Sequence, residues 1–448
     1  MFRKILIANR GEIALRIMRT CNELGIRTVV AHSEADRDSL PVRLADETVC
    51  IGPPPTASSY LNIPNIVSAA MLTGSEAIHP GYGLLSENAR FAEICADHGL
   101  CFIGPAPGAI AQMGDKISAL QLMQELGVPT IPGSNGPLNS QLEASKMARE
   151  IGYPIIIKAA AGGGGRGMRV VQSPRKLASE LELARHEAQI VFGNGELYLE
   201  KYLEEPRHVE IQILADRYGN AIHLGERDCS IQRRHQKLIE EAPSPALTTE
   251  LRMRMGEAAL LVVKALRYEG VGTVEFLVDR VGNFYFMEMN TRIQVEHPVT
   301  EAITRLDLIA LQILVAAGGS LPCKQEDIRF DGHAIECRIN AEDPLRDFRP
   351  CPGLVDAFVP PGGLGIRVDS HVYPGYIIPP YYDSLIAKLI AWAPDRSQAI
   401  VRMQRALGEF AITGVRTTLP IHQRILENAF YQKGEAYTNF LQRRILGS

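Results

Sequence analysis

Two glutamates, Glu275 and Glu288, lie in stretches that both read as strands, residues 273–279 and 284–290. The four residues between, Arg280-Val281-Gly282-Asn283, read as a hairpin loop. A hairpin centred between Val281 and Gly282 sets residues opposite when their numbers sum to 563, and these two meet that condition. Their Cβ atoms would then stand roughly 5 Å apart on one face. Like charges so close weaken a sheet unless something neutralises them. The two-residue period adds Asn290 to the face of Glu288. Carboxylate and amide oxygens on one patch suit a hard divalent ion, Mg²⁺ or Mn²⁺. The plainer alternative is that both glutamates are solvated, on a sheet half-buried by Phe276, Phe284 and Phe286. The next residues weigh against it. Arg292, Gln294 and Glu296 alternate onto one side, bringing a cation, an amide and a carboxylate together.

A second cluster suits phosphate. Ile155-Ile156-Ile157-Lys158 is an apolar strand ending in a lysine, and residues 162–167 are glycine except for Arg166. Gly162, Gly164 and Gly167 formally satisfy G-x-G-x-x-G. A dinucleotide site needs a helix next, whose N-terminus meets the pyrophosphate. Here Met168-Arg169-Val170-Val171 follows and reads as a strand. Strand, glycine loop, strand is a hairpin that can fold over a ligand. Glycine lets backbone N–H groups approach phosphate oxygens, and its entropy in the free state suits a lid that moves. One or two glycines would read as a surface turn; five beside Lys158 and Arg166 do not. The chain has no G-K-[S/T], so a P-loop is excluded. Only Gly11 sits in the first βα turn, a poor fit to a nicotinamide cofactor.

Other charged groups read as structural when taken alone. Residues 227–241 hold Arg233, Arg234, His235, Lys237, Glu240 and Glu241 among few apolar neighbours, the pattern of a solvated loop. Lys116 follows Gly114-Asp115 without remark. Arg338, between Cys337 and Ile339, reads as pointing out of a buried strand. The eight cysteines, none spaced as C-x-x-C, and the single Trp392 read as core, with the thiols reduced as in a cytosol-like compartment.

These groups need elements to position them. Residues 4–8 read as a strand, 12–24 as an amphipathic helix stopped at Gly25, and Arg27–His32 as a second strand. A helix at Ile63–Leu72, a strand at Ala77–His79, a helix at 88–97 and a strand at 100–103 continue the alternation. Alternation of that kind argues for an open, largely parallel sheet. A helix at 117–126 precedes the loop 129–137, whose Gly133, Ser134 and Gly136 mark a hinge. Residues 152–203 form a compact unit around the glycine run, residues 207–305 read as β-rich, and the tail mixes turns and strands with a helix at 396–410.

The chain has 448 residues, enough for about three domains at roughly 150 residues each. Hydrophobic residues at 46% and charged residues at 22% exclude disorder as the main state. No run approaches the roughly 18 apolar residues of a membrane helix, and the N-terminus lacks a signal-peptide pattern. A net charge of −4 leaves no basic footprint for nucleic acid.

Residues 153–168 together with 286–297 resemble the paired signatures of biotin carboxylase, a family of the ATP-grasp superfamily. Supporting stretches are Ile7-Ala8-Asn9-Arg10-Gly11-Glu12, Ile78-His79-Pro80-Gly81-Tyr82-Gly83, residues 200–203 and Arg338-Ile339-Asn340-Ala341-Glu342-Asp343-Pro344. The resemblance spans essentially the whole chain. One departure is Ala161 before four glycines, where some members carry five. The resemblance implies an α/β and α+β multidomain fold. Its parts would be a Rossmann-like N-terminal domain (1–113), an ATP-grasp domain (114–330) with a mobile glycine-rich lid (130–203), and a mixed β-rich C-terminal domain (331–448). It implies that Lys116 and Lys158 hold ATP phosphates, with Gly164 and Gly165 closing over them. Glu200, Lys201, Tyr202 and Leu203 would meet the adenine, and His208, Gln232 and His235 would line the nucleotide site. Glu275, Glu288 and Asn290 would carry Mg²⁺ or Mn²⁺. Lys237, Arg292 and the Val295 backbone would hold bicarbonate, Glu296 would be the general base, and Arg338 would stabilise the biotin enolate.

A biotinylated carrier domain usually presents Met-Lys-Met, which this chain lacks. The expectation is a biotin carboxylase subunit, a homodimer, that works on a separate biotin carboxyl carrier protein beside carboxyltransferase subunits, as in acetyl-CoA carboxylase and fatty acid synthesis. A bacterial cytoplasmic location is expected ahead of the plastid stroma. Two other readings remain: an ATP-grasp ligase acting on a different carboxylate, and a nucleotide sensor or dinucleotide oxidoreductase. The cation set Lys237, Arg292 and Arg338, shaped for a small anion and an enolate, argues against the first. The second would leave the metal and base set without a purpose.

Overall fold

The computed structural model describes residues 1–134, 136–138, 140–160 and 167–447. The chain opens with an apolar strand, β1 (Lys4–Ile7), and Gly11 at φ +69° turns it into the helix Gly11–Glu23. That helix ends as expected at Gly25, where φ is +70° and the Ile26 N–H bonds Cys21 O. β2 (Arg27–His32), β3 (Glu47–Cys50), β4 (Ala77–His79) and β5 (Cys101–Phe102) complete a parallel sheet in the order β3-β2-β1-β4-β5. The order reverses direction between β1 and β4. Ligands of open α/β sheets bind at such a switch point, beyond the strand carboxyl ends. The loops leaving β1 and β4 meet there: Asn9 Nδ2 donates to Pro80 O and Tyr82 O at 2.6 and 2.8 Å.

The glycine-linked unit is a three-stranded antiparallel sheet, β7-β6-β8, of β6 (Ile155–Ala159), β7 (Met168–Val171) and β8 (Leu197–Lys201). Ile155 faces Val171 and Lys158 faces Met168, so a hairpin does follow the apolar strand. Helices Gln141–Ile151 and Pro174–Phe192 cover this sheet, and Ala144, Ala148, Leu177 and Leu181 meet Ile155 and Ile157 in its core. Residues 161–166, and with them Gly164 and Gly165, lie outside the described residues. The 129–137 segment is stitched to β8. Ser134 N–H bonds Leu199 O, and Leu199 N–H bonds Ser134 Oγ. A Cβ on Gly133 would stand 2.4 Å from Leu199 O, so only glycine permits that approach.

An eight-stranded antiparallel sheet forms the rest of the frame. It contains β9 (Arg207–Ala215), β10 (Ala221–Arg233), β11 (Gln236–Ala242), β12 (Gly270–Val278), β13 (Phe284–Asn290), β14 (His333–Asn340) and the strands Leu385–Ala393 and Ile366–Ser370. Its order is β13-β12-β9-β10-β11-β14, then Leu385–Ala393 and Ile366–Ser370. β11 pairs with β14, so one sheet runs unbroken into the C-terminal part.

Three expectations are corrected here. Residues 227–241 are not a solvated loop but β10 and β11, with Arg227 and Glu240 completely buried. Only Arg234 and His235 form the turn, both at positive φ. The segment 207–305 is β-rich but also carries the helix Thr249–Ala265, whose face of Met255, Ala259 and Val262 packs on β9 and β10. Of the cysteines, Cys21, Cys95, Cys229 and Cys337 are buried, Cys50 is exposed, and the others are intermediate. All eight are free thiols. Trp392 lies partly buried, with its Nε1–H on Asp331 O at 2.7 Å. No described helix is long and apolar enough to cross a membrane.

Candidate active site

The hairpin of β12 and β13 brings Glu275 opposite Glu288, as the sum rule required. The route differs. The loop is centred one half-step earlier, since Val278 faces Phe284, and a bulge between Glu275 and Phe276 restores the register. Glu275 also faces Glu210 on β9, and Glu210 faces Arg227 on β10. Arg227, Glu210, Glu275 and Glu288 therefore form one row of charge across four strands. Arg227 is buried completely and anchors the row, with Nε 2.5 Å from Glu210 Oε1 and Nη2 2.8 Å from Gln294 Oε1.

Lys237, near the start of β11, stands in the middle. Its Nζ donates to Glu210 Oε2, Glu275 Oε1 and Glu296 Oε1 at 2.6, 3.0 and 2.7 Å. Burial works against its charge, but the three carboxylates outweigh burial and hold its pKa well above 10.5. Glu275 is buried too, which opposes ionisation. Lys237 and then His208, whose Nε2 is 2.7 Å from Glu275 Oε2, reverse this and hold the carboxyl below its ordinary value. Asn290 Nδ2 and Gln294 Nε2 also donate to Glu275 Oε1, at 2.8 and 2.6 Å. Glu288 makes no hydrogen bond among the described residues and opens into the cleft. Partial desolvation within the cleft, and then the charge of Glu275, raise its pKa.

Glu296 is 1% exposed, and burial alone would neutralise it. Lys237 and Arg338 overcome that and hold it well below 4.5. Arg338, on β14, puts Nη2 on Glu296 Oε2 at 2.9 Å and Nε on Glu240 Oε1 at 2.6 Å. Arg292 is braced by Glu87 Oε2 at 2.8 Å and Asn290 Oδ1 at 2.6 Å. The Val295 carbonyl accepts from Lys388 Nζ at 2.8 Å, which fixes that backbone.

Lys237, His208, Glu275, Glu288, Asn290, Arg292, Val295, Glu296 and Arg338 line one cleft of about 930 Å³, with Arg227, Glu210, Glu240, Glu87 and Lys388 set behind them. Its far wall is the glycine-linked sheet, which contributes Lys158, Glu200, Lys201, Tyr202 and Leu203. Lys158 Nζ pairs with Glu200. Lys116, Gln232 and His235 line it as well, and so does the β1/β4 switch point through Asn9, Arg10, Tyr82 and Gly83. Every sequence-predicted site residue within the described residues thus converges here. Sequence reasoning missed Glu210, Glu87, Lys388 and the anchoring role of Arg227. Glu210 did leave a signal, since His208, Glu210 and Gln212 alternate with Val209, Ile211 and Ile213. That alternation marks a polar face where two-sided burial should have given apolar residues.

The donor set fits a divalent ion. Glu275 and Glu288 oxygens and the Asn290 amide oxygen are hard ligands, and Glu288 is uncommitted to any hydrogen bond among the described residues. An acidic row on an antiparallel sheet, facing a lysine-bearing hairpin across a deep cleft, defines the ATP-grasp class of ligases. A family model described as the carbamoyl-phosphate synthase L chain, ATP binding domain, matches residues 115–324. Models for the biotin carboxylase N-terminal and C-terminal domains match residues 1–110 and 336–443. The chain belongs to the biotin carboxylase family. It is 61% identical over 441 residues to a biotin carboxylase of Nostoc sp., covering 98% of this chain and 99% of the relative. A solved biotin carboxylase in β-γ-ATP complex from Campylobacter jejuni superimposes with a TM-score of 0.95 at 51% identity, covering 99% of each chain. The biotin carboxylase domain dimer of the 2-oxoglutarate carboxylase of Hydrogenobacter thermophilus, in complex with MgADP, ADP and bicarbonate, gives 0.94 at 51%, covering 99% of this chain and 98% of that one.

Proposed function

We propose that the chain carboxylates biotin, carried on a separate biotin carboxyl carrier protein, with bicarbonate and ATP, releasing ADP and phosphate. The observation that carries this reading is the position of Glu296: one buried carboxylate held by both Lys237 and Arg338, beside the Glu275, Glu288 and Asn290 set.

Bicarbonate is a weak electrophile and a poor nucleophile until deprotonated. Glu296 is the base for that proton. Between two cations it is a weak base, so its basicity must rise as Lys237 and Arg338 turn from it to the incoming anion. Arg292 and Lys237 hold that anion, and Glu87 and Asn290 keep Arg292 aimed. A bicarbonate oxygen then attacks the γ-phosphorus and ADP leaves, giving carboxyphosphate. Phosphoryl transfer needs charge neutralisation more than covalent help. Lys116 and Lys158 supply it from this chain, with Gly164 and Gly165 closing over the phosphates. Glu275, Glu288 and Asn290 would hold magnesium, which adds charge neutralisation on the phosphate oxygens. Carboxyphosphate falls to CO₂ and phosphate in a water-poor cleft. The phosphate takes the ureido N–H proton of biotin, and the nitrogen attacks CO₂. The charge on the ureido oxygen meets Arg338, a permanent cation.

At the adenine edge, Lys201 N–H is committed to Pro132 O and Tyr202 N–H to Pro154 O. The reading therefore assigns the adenine donor to Leu203, with Glu200 orienting Lys158 and with His208, Gln232 and His235 along the nucleotide. We assign domains at 1–113, 114–330 and 331–448, with the lid at 130–203. The wider assignment is a homodimer in the bacterial cytoplasm, serving acetyl-CoA carboxylase through separate carboxyltransferase subunits. The dimer named for the Hydrogenobacter relative supports the homodimer. That relative belongs to a 2-oxoglutarate carboxylase, so we assign the choice of carboxyl acceptor to the partner subunits. The test is ADP release with Mg²⁺ and bicarbonate, with and without free biotin. Strong stimulation by biotin is expected; ADP release indifferent to biotin would favour a ligase for another carboxylate.

A further inference from the structure

Arg338 is held from two sides by carboxylates of different standing. Glu296 lines the cleft. Glu240 does not: it lies on β11, completely buried behind the guanidinium, and meets Arg338 through Nε at 2.6 Å. Its other oxygen, Oε2, has no hydrogen-bond partner among the described residues. Its register partner on β14 is Glu336, also completely buried, with neither oxygen bonded. Burial, and the nearness of Glu240, push the Glu336 carboxyl well above its ordinary value. Burial raises Glu240 as well, to about 7, against the opposing pull of Arg338. Of this cross-strand pair, Glu240 is the member that bonds Arg338.

The chemistry makes this asymmetry matter. When Glu296 accepts the bicarbonate proton it loses its charge, and its grip on Arg338 Nη2 weakens. A guanidinium bound only to Glu296 would then be free to turn just when the ureido oxygen gains charge. Held only by Glu296, it would also keep the base over-stabilised beforehand. Resting on the biotin carboxylation reading, we propose that Glu240 is the positioning residue of Arg338. It pins Nε from outside the cleft, so that Nη2 can pass from Glu296 to the substrate oxyanion without the guanidinium losing its aim.

The test compares full-length wild type with Glu240→Gln, which keeps the shape and an acceptor oxygen but removes the charge. Three quantities are read: kcat for carboxylation of free biotin, bicarbonate-dependent ADP formation without biotin, and KM for ATP. Misaim of a catalytic group by about 1 Å costs up to about 100-fold, so biotin carboxylation should fall at least about tenfold. KM for ATP should stay within about twofold, and the biotin-free reaction should fall less than the biotin-dependent one. Glu240→Asp, which keeps the charge at shorter reach, should recover part of the loss and serves if the Gln variant does not fold. Glu336 makes no side-chain hydrogen bond among the described residues, so Glu336→Gln should stay within about threefold of wild type. Unchanged biotin carboxylation in Glu240→Gln would overturn the proposal. So would a parallel fall of all three quantities, or equal losses in Glu240→Gln and Glu336→Gln, because either points to structure or charge count and not to aim. Wild-type stimulation by biotin tests the function itself; the variant-to-wild-type ratios test Glu240.

Discussion

At the scale of single residues the site works by pairing, and each pairing has a measurable consequence. Among the described residues the Arg338 guanidinium bonds two carboxylates, Glu240 and Glu296, and neither Lys116 nor Lys158, the lysines assigned to phosphate, so Arg338→Ala should separate the two halves of the chemistry. Losing one preorganised charge donor costs roughly 100-fold or more in rate. Carboxylation of biotin should fall by about that factor while ATP affinity, read by equilibrium binding, stays within about threefold. Equal loss of both would mean that the role is misassigned. Glu288→Lys puts an ammonium where a cation should sit, opposite Glu275. Mg²⁺-dependent ADP formation should drop to background, and turnover at the wild-type rate would remove the metal assignment. The types of these residues were legible in the chain because chemistry leaves local marks: a cation, an amide and a carboxylate at alternate positions, and glycines massed beside a lysine. Lys237 and Arg338 read as structural by themselves, and only the resemblance gave them roles. Their partners Glu210 and Glu240 lie on other strands, and no local pattern reports such a distance.

At the scale of elements, the strands act as a ruler. The Glu275–Glu288 contact came out right from counting, although a bulge between Glu275 and Phe276 was needed to restore the register after a loop centred elsewhere. A symmetric count cannot see a bulge. The reading of 227–241 failed for a different reason. Charged residues usually mean solvent, but here Arg227 and Lys237 pair with Glu210, Glu240 with Arg338 and Glu241 with Arg396, all partners distant in sequence. Glu241 shows how the same ions hold the elements together. It accepts from Arg396 Nε at 2.6 Å and lies 2.8 Å from His333 Nε2, tying β11 to β14 and to the helix Arg396–Glu409. Burial opposes its charge, but His333 and Arg396 win and bring its pKa down from 4.5 to about 2. A depressed carboxyl stabilises the fold above its unfolded pKa and loses that contribution as pH falls through the folded one. A shift of that size corresponds to on the order of 3 kcal/mol. Glu241→Gln should therefore lower Tm most above about pH 5, and the gap to wild type should close between pH 4.5 and 2. A gap that stays constant down to pH 3 would show that shape, not charge, matters at this position.

At the scale of the whole molecule, three sheets meet on one cleft, and each brings a different part of the reaction. The parallel sheet contributes its switch point, the glycine-linked sheet Lys158, and the long antiparallel sheet Glu275, Glu288, Asn290 and Arg338, while Glu296 stands at the start of the helix His297–Thr304 that follows β13. The parallel sheet was legible from strand–helix alternation. The continuity of the long sheet was not, because β11 and β14 are about ninety residues apart and pair only in three dimensions. Its effect is to place Lys237 on β11 and Arg338 on β14 in one frame, both in reach of Glu296. The account stands on bicarbonate being activated by direct attack of its oxygen on ATP in this cleft. The most direct measurement supplies ¹⁸O-labelled bicarbonate with ATP, Mg²⁺ and biotin, and reads the released phosphate by mass spectrometry. The account predicts one labelled oxygen in each phosphate formed with carboxybiotin. Phosphate carrying no label, with carboxybiotin still produced, would contradict it.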